Sequence, residues 1–165
     1  MSRFTKQSKI ILDWWKIYTE DRIIREVGEV GSWEFVLVPP VFEYDWVSSP
    51  WFMWRYIPRI EWKTIIPWAC HDRWFRIKGR FEDYVKNNLE KVKEVLQREG
   101  IDVDLFMKKL RNYSQKELNS MFKQQLIAMN NSERKSNVMY AGVRMWGWYY
   151  WNKPITENWK KYLVK

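Results

Sequence analysis

The chain has 165 residues, 46% of them hydrophobic and 30% charged, which is the composition of a globular domain with a core and excludes an intrinsically disordered chain. One cysteine, Cys70, excludes an intrachain disulfide framework and a cysteine-based zinc site, and one histidine, His71, excludes every motif that needs two. The net charge of +9 favours acidic partners such as nucleic acid, anionic lipid, cell-wall polymer or an acidic protein face, but Lys and Arg run from Arg3 to Lys165, often beside acids, as in a surplus that serves solubility.

No apolar run approaches the ~20 residues that span a bilayer, so no membrane span is expected. The opening residues, Met1 to Lys6, lack the apolar stretch of a signal peptide, and the expectation is a protein made in the cytoplasm. Thirteen Trp leave two readings open. The rings fill a core short of Leu and Val, or some stand half-exposed at a contact surface, since each buried indole N–H needs a partner.

In chain order, Ile10 to Tyr18, Ile23-Ile24 and Glu34 to Val38 read as antiparallel strands with a glycine turn over 28–32, ended by Pro39-Pro40. Residues 41–61 read as irregular and aromatic, with a short helix after Pro50. A helix is predicted from Thr64, with Pro67 tolerable only in its first turn. The spacing of Phe81, Tyr84, Val85, Asn88, Val92, Val95 and Leu96 predicts one helix over 81–99, closed by Gly100 with Ile101 in the usual apolar contact. A short helix follows over 102–110. Ser114-Gln115-Lys116-Glu117 is a capping box that opens a helix with Leu118, Met121, Phe122, Gln125, Leu126 and Met129 on one stripe. The last helix is predicted over 132–150, with Met139, Val143, Trp146 and Tyr150 inward, and Gly142 and Gly147 where another backbone or ring packs closely. The expected fold class is α+β in a single domain over 1–165: a small N-terminal antiparallel sheet (strands and loop 1–61) packed on a mostly helical C-terminal half (62–165).

Few residues invite chemistry. His71-Asp72 suggests an activated imidazole, or equally a histidine bonded to a loop carbonyl beside an aspartate paired with an arginine, because neighbours on a helix point ~100° apart. Asp45 and Ser48, just before Pro50, suit either a turn that caps a short helix or a metal ligand and a nucleophile. There is no glycine-rich phosphate loop and no nucleophile elbow.

Four pieces in order carry a resemblance. Residues 38–50, Val-Pro-Pro-Val-Phe-Glu-Tyr-Asp-Trp-Val-Ser-Ser-Pro, resemble the signature Val-Pro-x-Gly-Phe-x-Thr-Asp-x-Ala-Ser-x-Pro. His71-Asp72-Arg73-Trp74-Phe75 resembles His-Asp-x-x-Tyr, Ser114 to Phe122 resembles Ser-Arg-x-x-Ala-Asp-x-x-Phe, and Tyr140 to Gly147 resembles Tyr-x-x-Val-Arg-x-x-Gly. Together they are similar to the small bacterial and bacteriophage domain-of-unknown-function family numbered thirteen fifty-three, over about residues 33 to 150. Val41 and Tyr44 replace the signature's Gly and Thr, Gln115 and Asn119 replace its Arg and Asp, and 79–111 looks like an insertion.

The resemblance implies a polar cluster of Asp45, Ser48, His71, Asp72, Asn119 and Arg144. Asn119 is a poorer hard-metal ligand than aspartate and no base, so the site reads as degenerate. The function expected on this basis is a phage-encoded late protein, a virion- or tail-associated structural or interaction component. It would be made in the host cytoplasm, become part of the virion, and bind other phage or host proteins and acidic surfaces. The alternative is a metal-assisted hydrolase of cell wall or another anionic polymer. There Asp45, His71 and Asp72 would hold a divalent ion or activate water, and Ser48 or Arg144 would position substrate. Nucleic acid is the least favoured partner, because no recognition motif accompanies the charge.

Overall fold

The computed structural model describes residues 10–13, 16–19, 23–26, 35–38, 43–44 and 62–154. Among these residues five short strands precede six helices: β1 (Ile10–Asp13), β2 (Lys16–Thr19), β3 (Ile23–Glu26), β4 (Phe35–Val38), β5 (Glu43–Tyr44), α1 (Trp62–Arg76), α2 (Phe81–Asn87), α3 (Leu89–Arg98), α4 (Val103–Lys109), α5 (Gln115–Ala128) and α6 (Glu133–Asn152).

The expected α+β class is corrected: the molecule is mostly helical. Among the described residues no strand exceeds four residues, and the pairings split into separate small sheets, β1-β2-β5 and β3-β4, instead of one N-terminal sheet. The physical reason is length. The β-branched and aromatic residues come in bursts of about four, and β1 pairs antiparallel with β2, Ile11 opposite Tyr18. Pairings this short are marginal by themselves and depend on the helices they pack against, as buried Leu37 and Val38 of β4 do. The glycine turn over 28–32 and the short helix after Pro50 lie outside the described residues.

Burial is carried by the helices. One apolar cluster joins Trp74, Phe75 and Ile77 of α1 and its following turn to Phe81 and Val85 of α2, Val92 and Leu96 of α3, Phe106 of α4 and Leu118 of α5, with Leu37 of β4. A second joins Trp68, Phe122, Leu126, Met139 and Val143 across α1, α5 and α6. The 79–111 segment thus contributes its apolar faces to the same core as α1 and α5.

Three helix expectations are corrected, each for a physical reason. Pro67 lies in the second turn of α1, not the first. Its missing N–H leaves the carbonyl of Lys63, four residues back, without an intrahelical donor. Asn131, in the α5–α6 connection, donates its side-chain amide to that oxygen at 2.9 Å and to Leu126 O at 2.9 Å. The stretch 81–99 is two helices, not one. At Asn88 (φ −127°, ψ 26°) the side-chain amide donates to Tyr84 O at 2.9 Å, a local bond that competes with helix continuation. In α6, Trp146 and Tyr150 are exposed, not inward. Gly147 is buried there instead, because a Cβ at that position would stand 2.9 Å from Phe75 Cε1. Trp151, one turn on, packs edge-on against Phe75 with ring centroids 5.2 Å apart.

Other signals match the coordinates. Gly100 takes φ +69°, and Ile101 N donates to Leu96 O at 2.8 Å while the Ile101 side chain is buried, as a Schellman closure requires. Both halves of the capping box form: Glu117 N donates to Ser114 Oγ at 3.3 Å, and Ser114 N donates to Glu117 Oε2 at 2.8 Å. With Arg111 donating first and Ser114 second, the Glu117 carboxyl is held down at about 2.

Candidate functional site

His71 lies on the face of α1 that also carries Trp68 and Phe75, and α5 presents Asn119 and Phe122 to it. The imidazole is enclosed by rings: Phe75 at 4.2 Å, Phe122 at 4.9 Å and the edge of Trp68 at 6.1 Å between centroids. Its one side-chain bond joins Nε2 to Asn119 Oδ1 at 3.0 Å, and both residues are buried. An amide oxygen accepts only, so Nε2 carries the proton and donates. Nδ1 is then the lone-pair nitrogen, buried with no hydrogen-bond partner. Burial lowers the His71 pKa from 6.5 to about 4, and the Asn119 bond offsets only part of that. At neutral pH the ring is an uncharged core group.

Two of the six expected cluster members therefore meet, His71 and Asn119. Asp72 is half-buried beside His71 and already has a partner. Arg144 stands exposed on α6, and no hydrogen bond or ion pair among the described residues ties it to His71. Asp45 and Ser48 lie outside the described residues. Among the described residues no group of three or more His, Cys, Asp and Glu is placed to hold a metal ion. The chemistry available to the described pair is that of a neutral donor–acceptor contact in an aromatic core.

This pair makes a direct prediction. Asn119→Asp restores the carboxylate of the resembled signature 3.0 Å from Nε2, where it favours the imidazolium. The His71 pKa is expected to rise from about 4, read by NMR titration of the ring C–H protons. An unchanged midpoint would show that the two groups do not interact in solution.

The feature that sequence reasoning missed is the outer side of α6. Met145 (66%), Trp148 (64%), Tyr149 (53%), Trp146 (45%) and Tyr150 (44%) are all solvent-accessible within a turn and a half. Lys153 Nζ sits over the Tyr149 ring at 4.0 Å and the Tyr150 ring at 5.3 Å, and Lys78 Nζ donates to the Lys153 carbonyl. The available signal was that 145–151 is apolar all round, which a helix with only one buried face cannot satisfy by itself. No helix of the described residues is long and apolar enough to cross a membrane.

Comparison of the chain with protein-family models, with characterised proteins and with solved structures finds no match.

Proposed function

We propose that the chain is a phage-encoded late protein that serves as a virion- or tail-associated interaction component, with the outer side of α6 as its contact surface. The observation that carries this reading is the exposed run Met145, Trp146, Trp148, Tyr149 and Tyr150 on a folded, capped helix. Monomeric proteins rarely leave contiguous apolar surface of this kind uncovered, and Trp and Tyr are the residues that anchor interfaces. The four-part signature resemblance supplies the phage context. No observation on the described residues favours the hydrolase alternative, since His71 is enclosed, neutral and bonded to an amide.

The experiment is mass spectrometry of purified, salt-washed particles of the encoding phage, with wild-type chain and with Met145→Asp/Trp148→Asp. The wild-type chain is expected in the particles. The double variant is expected to fold, because both side chains are exposed, and to lose association by roughly 30-fold or more, the effect of removing an interface anchor. Absence of the wild-type chain from the particles overturns the proposal.

A further inference from the structure

The chemistry of the partner can be read from the same helix, on the reading that α6 is the contact surface. Val138, Ala141, Met145 and Trp148 are all exposed and recur at i, i+3, i+7 and i+10, with Tyr149 beside them. That is the heptad spacing of a helix–helix seam, on the side of α6 away from Met139, Val143 and Gly147, which are buried. The stripe is about 15 Å long at ~1.5 Å per residue, so a partner helix of roughly three turns covers it.

Charge then narrows the partner. From Arg134 to Pro154 the chain carries Arg134, Lys135, Arg144 and Lys153 and no Asp or Glu. On a helix turning ~100° per residue, Arg144 falls on one side of the stripe and Lys153 on the other. In paired helices the flanking positions set partner choice through opposite charges. A second copy of this chain is disfavoured by the same rule: antiparallel self-pairing about Met145 brings Arg144 against Arg144. Like charges facing one another across an interface oppose association.

We propose that the partner presents an amphipathic helix whose apolar ridge is flanked on both sides by carboxylates, laid along the Val138–Met145–Trp148 stripe. The ridge fills the row between Met145 and Trp148, and the carboxylates meet the Arg144 guanidinium and the Lys153 ammonium.

The test uses the full chain, labelled with 15N, and two synthetic helical peptides with the same leucine ridge, one flanked by Glu and the other by Lys. The Glu-flanked peptide is expected to shift amide signals of 138–153 and to bind tenfold or more tighter than the Lys-flanked one. Arg144→Glu with Lys153→Glu is expected to reverse that preference. Phosphatidylglycerol vesicles and a twelve-nucleotide oligo-dT are the remaining probes. The inference is overturned if both peptides bind equally, if neither perturbs α6, or if vesicles or oligo-dT perturb α6 while the peptides do not. Particle association that survives the charge reversal sinks this inference alone, whereas a wild-type chain missing from particles sinks the reading beneath it.

Discussion

Gly79→Ala is expected to destabilise the protein by about 4 kcal/mol, whereas Gly100→Ala costs about 1 kcal/mol. Both glycines sit in the left-handed region, at φ +66° and +69°, so both variants bear the conformational penalty of a side chain there. Only Gly79 adds a collision. A Cβ there would stand 1.9 Å from the carbonyl oxygen of Tyr113, whereas at Gly100 nothing lies within 4 Å. The Tyr113 carbonyl cannot simply retreat, because Tyr113 N donates to Gly79 O at 2.9 Å and its ring stacks on Trp74 at 5.9 Å. The overlap must therefore be relieved by separating the α1–α2 turn from the segment that enters α5. Urea denaturation of the two variants measures the difference. Equal losses would mean that the close approach is absent in solution.

The second large effect is acid lability through His71. The folded ring holds its pKa near 4 against 6.5 for an ordinary histidine, because burial penalises the charged form. Between those values the unfolded chain binds a proton that the folded chain refuses. The contribution is fully present above about pH 6.5, falls steadily as pH drops toward 4, and is flat below it. A shift of this size corresponds to on the order of 3 kcal/mol. Glu117, held at about 2 by Arg111 and then Ser114, adds its own loss in a lower window, as pH falls from about 4.5 toward 2. Denaturation curves at pH 7.5, 6, 5 and 4.5 measure the slope, and His71→Gln, which keeps a polar side chain but cannot charge, is expected to flatten it above pH 5. A slope unchanged in that variant would assign the loss to carboxylates.

Helix boundaries set by caps were the most legible part of the fold. Ser114 with Glu117, and Gly100 with Ile101, act through bonds to backbone only a few residues away, so local sequence suffices to read them. Features decided by distant partners were not. Asn131 looks like one more loop residue until its amide reaches the Lys63 carbonyl of α1. Trp146 and Tyr150 match inward spacing, but Phe75 of α1 claims the space facing Gly147 and sets the rotation of α6. The fold class was misread because four-residue runs of Ile, Val and Tyr look the same whether they extend a sheet or close a short ribbon. Of the candidate site, the resemblance implied one cluster of six residues, of which His71 and Asn119 meet among the described residues. No pattern in the sequence showed that the ring would be walled in by Phe75 and Phe122.

The amide of Asn131 on the Lys63 carbonyl ties two positions far apart in the chain into one thermodynamic unit. With Pro67 present, losing Asn131 strands a carbonyl away from any donor; with alanine at 67, the helix supplies its own donor and the asparagine becomes dispensable on that side. The two substitutions should accordingly be far less harmful together than their separate costs imply. A helix with a defect in its second turn has in this way made the junction at its own end of the bundle, where α5 hands over to α6, the guarantor of its first turns.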